Sequence, residues 1–163
     1  MVPLPLVQSS NQLIPSTLPP YLIAVFVGAT SGIGEATLKQ FAKHTVQPRA
    51  YFLGQSQDAG DRIAAECKAL NPNGEYVFVK ADVSLIRVVD EVCEGIKAKE
   101  KAINILFLSA GLPITDRRET SEHLHLLSAL IFYSRLRFTT NFLPLLRPAP
   151  SLRRVITVAG GTH

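Results

Sequence analysis

A nearly unbroken apolar run that ends in spaced glycines constrains this chain more than any other stretch. Tyr21 to Val27 reads YLIAVFV, and Gly28, Gly32 and Gly34 follow directly. A run this rich in valine, isoleucine and aromatics suits a parallel strand covered on both faces. Behind the glycines, Ile33, Ala36, Thr37 and Phe41 share one face of a predicted helix. Strand, glycine turn and helix in that order build an anion seat from Gly28, Ser31, Gly32, Ile33 and Gly34. Glycine lets backbone close on a pyrophosphate, and a helix start offers unpaired N–H groups and partial positive charge. A ligand-free glycine turn is the plainer alternative.

The same alternation continues down the chain. Arg49 to Leu53, Glu75 to Lys80, Ile103 to Leu108 and Arg153 to Val158 read as further strands. Ala59, Ile63, Cys67 and Leu70 mark one intervening helix, and Ile86, Val89, Cys93 and Ile96 the next, with Ser84 as its expected N-cap. A long helix is expected from about Ser121 to Phe142, stopped by Pro144, and its first half is apolar nearly all round. Strands alternating with helices through right-handed crossovers give a doubly wound parallel α/β sheet, Rossmann-like, of about five strands in the order 3-2-1-4-5. Any ligand then sits over the carboxyl ends of the strands, between the first and fourth. Residues 1–20 contain Pro3, Pro5, Pro15, Pro19 and Pro20 and read as an extended arm; 21–163 form the dinucleotide-binding domain.

Composition narrows the partners. A chain of 163 residues is one domain, and its formal charge of +4 lacks the aromatic interleaving of a nucleic-acid module. The N-terminus has neither the basic region nor the long apolar core of a signal peptide, and no stretch is apolar for long enough to span a bilayer. Cys67 and Cys93 fall on the apolar stripes of separate helices, which predicts buried reduced thiols and a cytoplasmic protein. The expected partner is a dinucleotide, with neither nucleic acid nor membrane. The 121–142 helix is the candidate surface for homo-oligomers.

The glycine spacing is G-x-x-x-G-x-G, and with it the chain resembles the short-chain dehydrogenase/reductase family. Val27 stands where that family often has threonine. The stretches EATLKQF, Tyr133-Ser134-Arg135 and Leu143-Pro144-Leu145-Leu146 are similar to fungal members associated with natural-product pathways. The resemblance runs from about Asn11 to Gly161 and covers roughly the nucleotide-binding half of a full-length relative, so the fold is expected to be incomplete. The resemblance alone implies a small carbonyl or alcohol substrate. It also implies that Asp82-Val83 lies beside the adenine and that Ser109-Ala110-Gly111 lies along the cofactor ribose, with Ser109 in the place of a strand-tying asparagine. Asp82 equally suits a local cap. At the end of the second strand, where an acidic residue usually holds the ribose hydroxyl, the chain reads Leu53-Gly54-Gln55-Ser56. The missing carboxylate favours NADP over NAD, with helix capping by Gln55 and Ser56 as the alternative.

The family's chemistry needs a serine after the fifth strand, a Tyr-x-x-x-Lys helix and an asparagine on the preceding helix. The chain reads Val158-Ala159-Gly160-Gly161-Thr162-His163 after that strand, with Thr162 its only hydroxyl. The asparagine's place, near Ile131 to Tyr133, is empty. No catalytic residue is therefore assigned. Without them, 2′-phospho-ADP-ribose is expected to bind about as well as NADP. Tyr133 and Arg137 mimic the Tyr-x-x-x-Lys spacing but precede the fifth strand, and read as a structural pair. His123 and His125, two apart on a helix, make poor joint ligands, and no metal is expected. Three readings stand: an NADP(H)-dependent oxidoreductase by descent with little or no activity, a non-catalytic nucleotide- or partner-binding domain, and a fragment of a truncated gene.

Overall fold

The computed structural model describes residues 2–112 and 116–159. Five parallel strands form one sheet: β1 (Ile23–Val27), β2 (Arg49–Gly54), β3 (Glu75–Lys80), β4 (Ile105–Leu108) and β5 (Arg154–Thr157), in the order β3-β2-β1-β4-β5. That is the predicted order. Every parallel neighbour needs a crossover, and the right-handed rule leaves two faces for the helices.

Two helices open the chain, α1 (Leu4–Gln12) and α2 (Ile14–Thr17), where an extended arm was expected. Proline at the first positions of each helix explains the difference, since it loses no intrahelical bond there. Neither helix has a buried residue, but Asn11, Ile14 and Leu18 border an apolar cavity against Phe26, Phe41 and Phe107.

One face of the sheet carries α3 (Gly32–His44) and α4 (Gln57–Leu70) over a core of Phe26, Phe52, Leu38, Ile63 and Cys67. The buried stripe of α3 is Gly34, Leu38 and Ala42, one position off the predicted one, and Ile33 is exposed. On the other face α5 (Ile86–Lys97) packs on the last long helix over Val25, Val89, Cys93, Phe138 and Phe142. The predicted stripe Ile63, Cys67 on α4 and Val89, Cys93, Ile96 on α5 is buried, whereas Leu70 is exposed.

The segment expected as one helix from Ser121 starts later and is not regular. It begins as α6 (Leu126–Ser128), widens into a π-helical turn at Ala129–Tyr133, and continues as α7 (Ser134–Leu146) with Pro144 inside its last turn. His123 and His125 lie ahead of it in a loop, closed by a bridge between Glu119 and His125. Arg137 pairs with Asp90 of α5 at 2.6 Å rather than with Tyr133, whose ring packs edge-on against Phe132. The apolar half of this helix leaves Ile131, Phe132, Tyr133 and Leu136 exposed.

Candidate dinucleotide site

Every sequence-predicted site residue except Asp82 lines one open crevice of about 430 Å³ over the carboxyl ends of the strands. Gly28, Ser31, Gly32, Ile33 and Gly34 form its near wall, Gln55 and Val83 one end, and Ser109, Ala110 and Gly111 the other. Thr30, Leu112, Leu130 and Val158 also line it, and sequence reasoning missed all four.

The near wall is built for backbone contact. Gly28 (φ +87°) and Gly32 (φ +57°) take left-handed conformations that favour glycine. A Cβ on Gly34 would meet the Gly28 carbonyl oxygen at 2.3 Å and Ser109 Oγ at 2.6 Å. The first bond inside α3 closes from Glu35 N to the Ser31 carbonyl, and Ser31 places no side-chain cap on the helix. The N–H groups of Gly32, Ile33 and Gly34 are thus left without partners inside the helix, beside the crevice. An anionic ligand suits that cradle.

Ser109 compensates for the missing asparagine in part. Its hydroxyl reaches the carbonyl oxygens of Val27 and Gly28, each at 3.1 Å, and so ties β4 to β1. Asp82 lies just outside the crevice, its Oδ1 accepting from Ser84 N at 3.0 Å and Ser84 Oγ at 2.7 Å. Ser84 is accordingly not the cap of α5. Leu85 occupies that position without a capping side chain, and the Glu122 carboxylate accepts from Ile86 N (2.6 Å) and Arg87 N (3.1 Å) instead. Ser56 does cap α4, accepting from Ala59 N at 3.3 Å.

No carboxylate lines the crevice among the described residues. Glu35, in the first turn of α3, is taken up by Arg62 and Lys39, whose hydrogen bonds hold its carboxyl at a pKa of about 2. The crevice also presents no tyrosine, lysine or histidine among those residues, only the hydroxyls of Thr30, Ser31, Ser56 and Ser109 and the amide of Gln55. Thr162 and the rest of 160–163 lie outside the described residues. Among the described residues no cluster of three or more histidine, cysteine or acidic side chains could hold a metal, and no helix is long and apolar enough to cross a membrane.

The parallel sheet, the glycine-walled crevice and the open helix start define a Rossmann-like α/β domain. The profile of the short chain dehydrogenase family matches residues 22–158, and the chain belongs to that family. It is 44% identical over 162 residues to Oxidoreductase AN1596 of Emericella nidulans, covering 99% of this chain and 48% of that protein. It is 42% identical to the NmrA-like family domain-containing oxidoreductase notO of Aspergillus sp., covering 99% of this chain and 49% of the relative. The chain thus spans about half the length of the curated relatives it matches. The fold is also similar to L-sorbose reductase from Gluconobacter frateurii, solved with NADPH and L-sorbose (TM-score 0.71, 23% identity, 85% of this chain and 52% of that one). A similar match is the alcohol dehydrogenase of Thermococcus sibiricus, complexed with 5-hydroxy-NADP (TM-score 0.70, 23% identity, 84% and 57%).

Proposed function

We propose that this chain is the dinucleotide-binding part of an NADP(H)-dependent oxidoreductase that interconverts carbonyls and alcohols, in fungal secondary metabolism and in the cytoplasm. The carrying observation is the row of N–H groups at Gly32, Ile33 and Gly34 left without partners inside the helix, facing a crevice that has no carboxylate among the described residues. The pyrophosphate rests on those donors. The adenosine lies towards Gln55 and Val83, where nothing repels a 2′-phosphate, and the second ribose lies along Ser109-Ala110-Gly111. NADPH bound to L-sorbose reductase and 5-hydroxy-NADP bound to the archaeal alcohol dehydrogenase support the same ligand class. When bound, the nicotinamide supplies the hydride.

The crevice side chains of the described residues can bind and orient that cofactor, but none can exchange a proton with a carbonyl near neutral pH. This chain by itself is therefore expected to bind the dinucleotide and to turn over slowly or not at all. Titration calorimetry with NADPH and NADH, beside an assay of NADPH oxidation with assorted ketones, tests both halves. Tighter NADPH binding with no turnover is the expected result, and failure to bind either nucleotide refutes the reading.

A second reading, a non-catalytic partner-binding domain, is favoured by one observation. Ile131, Phe132, Tyr133 and Leu136 leave an exposed apolar strip on the π turn and α7, suited to self-association. Sedimentation over a concentration series tests it, and a monomer throughout counts against it.

A further inference from the structure

Arg135 holds the ends of two strands at once. Its Nη1 donates to the Val158 carbonyl just past β5 at 2.7 Å, and its Nη2 to the Ala110 carbonyl just past β4 at 3.0 Å. The guanidinium is partly buried, and burial alone lowers its pKa, with no acidic neighbour acting against that shift. Its Nε is buried with no hydrogen-bond partner among the described residues. A cation placed this way is costly as mere packing, because desolvation is not offset by a carboxylate. What it gains is geometric. A planar fork can hold two carbonyls in fixed relation, which an ammonium cannot.

Both residues it holds, Ala110 and Val158, line the crevice, while Arg135 itself stands behind them. They lie on the β4–β5 side of β1, whereas Gln55 follows β2 on the opposite side. Arg135 sits in the first turn of α7, just after the π turn, and Leu130 within that turn lines the crevice.

We infer that Arg135 is a positioning residue for the cofactor: its fork fixes the spacing of the β4 and β5 ends and thereby orders the wall that meets the nicotinamide–ribose half. The inference rests on the NADP(H) reading above and reverses the expectation that 2′-phospho-ADP-ribose binds about as well as NADP. Calorimetry on the full 163-residue chain, with NADPH and 2′-phospho-ADP-ribose, tests it in the wild type, Arg135→Lys and Arg135→Met. Near-ultraviolet circular dichroism checks that each variant is folded. If Arg135→Met does not fold, the milder Arg135→Lys alone decides.

The wild type should bind NADPH at least tenfold tighter than 2′-phospho-ADP-ribose. Both variants should bring that ratio to within twofold, with affinity for 2′-phospho-ADP-ribose changed less than twofold. Lysine should not rescue, because it keeps the charge but loses the fork. A wild type without the preference, an unchanged ratio in the variants, or an equal loss for both ligands overturns the inference and leaves the binding reading intact. A wild type that binds neither ligand overturns both.

Discussion

Gly28 and Ala110 are in direct backbone contact: a Cβ added to Gly28 would fall 2.5 Å from the Ala110 nitrogen and 2.6 Å from its Cα. The glycine loop and the β4 end therefore close on each other with no room for a side chain. Gly28→Ala adds this overlap to an unfavourable positive φ, and should cost about 3 kcal/mol. Gly32 also has a positive φ, but its added Cβ would meet nothing within 4 Å. Gly32→Ala should cost only about 1 kcal/mol, from the left-handed backbone alone. Urea midpoints of the two variants measure the difference, and equal losses would refute the contact.

Ser109 offers one proton to two carbonyls, at Val27 and Gly28. Ser109→Ala should lower stability by about 1 kcal/mol and loosen the glycine loop against β4. Chemical denaturation gives the first quantity, and amide exchange at Gly28 and Ala29 the second. A neutral substitution in both would mean that the hydroxyl carries no tie.

The start of α5 is capped from a distance by Glu122, which leaves the loop before α6 attached to the far helix. Glu122→Ala should cost about 1–2 kcal/mol, in the range of a lost cap with charge-assisted bonds. Ser84→Ala should cost less, because the Ser84 hydroxyl donates to Asp82 and does not cap α5. The reverse ranking in thermal melts would restore the sequence-based assignment.

The Glu35 carboxyl is lowered from its ordinary value of 4.5 to about 2, chiefly by the hydrogen bond from Arg62 and then by that from Lys39. A depressed carboxylate contributes stability above its unfolded pKa and loses it as pH falls through the folded one. Stability should therefore drop between about pH 4.5 and pH 2, and Glu35→Gln should flatten that slope. Urea denaturation at several acidic pH values provides the check; an unaltered slope in the variant would refute the pairing.

Cys67 and Cys93 are buried, and desolvation pushes their thiols up to about 11 and about 12. Both should stay unreactive towards iodoacetamide at pH 8 in the folded chain and become labelled in urea. Mass spectrometry reads the count of adducts, and fast labelling of either thiol under native conditions would contradict its burial.

Much of this architecture is legible in the residues because it follows from local pattern. The Tyr21–Val27 run and the glycines behind it specify a strand, a turn and a helix start, and the crossovers then leave one simple strand order. Departures arise where pattern underdetermines direction. Ile33 belongs to the apolar residues of α3 by spacing, yet the glycine turn rotates the helix so that Gly34, Leu38 and Ala42 face the sheet. Pro3 and Pro5 read as breakers, though at a helix start proline does no harm.

The glycine turn at a helix start and the lack of an acidic residue after β2 were determined by sequence alone, because both depend on residues close together in the chain. Tertiary structure decided what distant residues do for one another. Glu122 reaches across to α5, and Ser109 ties β4 to the glycine loop. Arg135, just past a π turn that no propensity scale marks, reaches the carbonyls beyond two strand ends. The physical reason is common to all three: a hydrogen-bonding side chain takes whichever acceptor or donor the packed fold brings within about 3 Å, and that meeting is set by the crossovers and not by the neighbours in sequence.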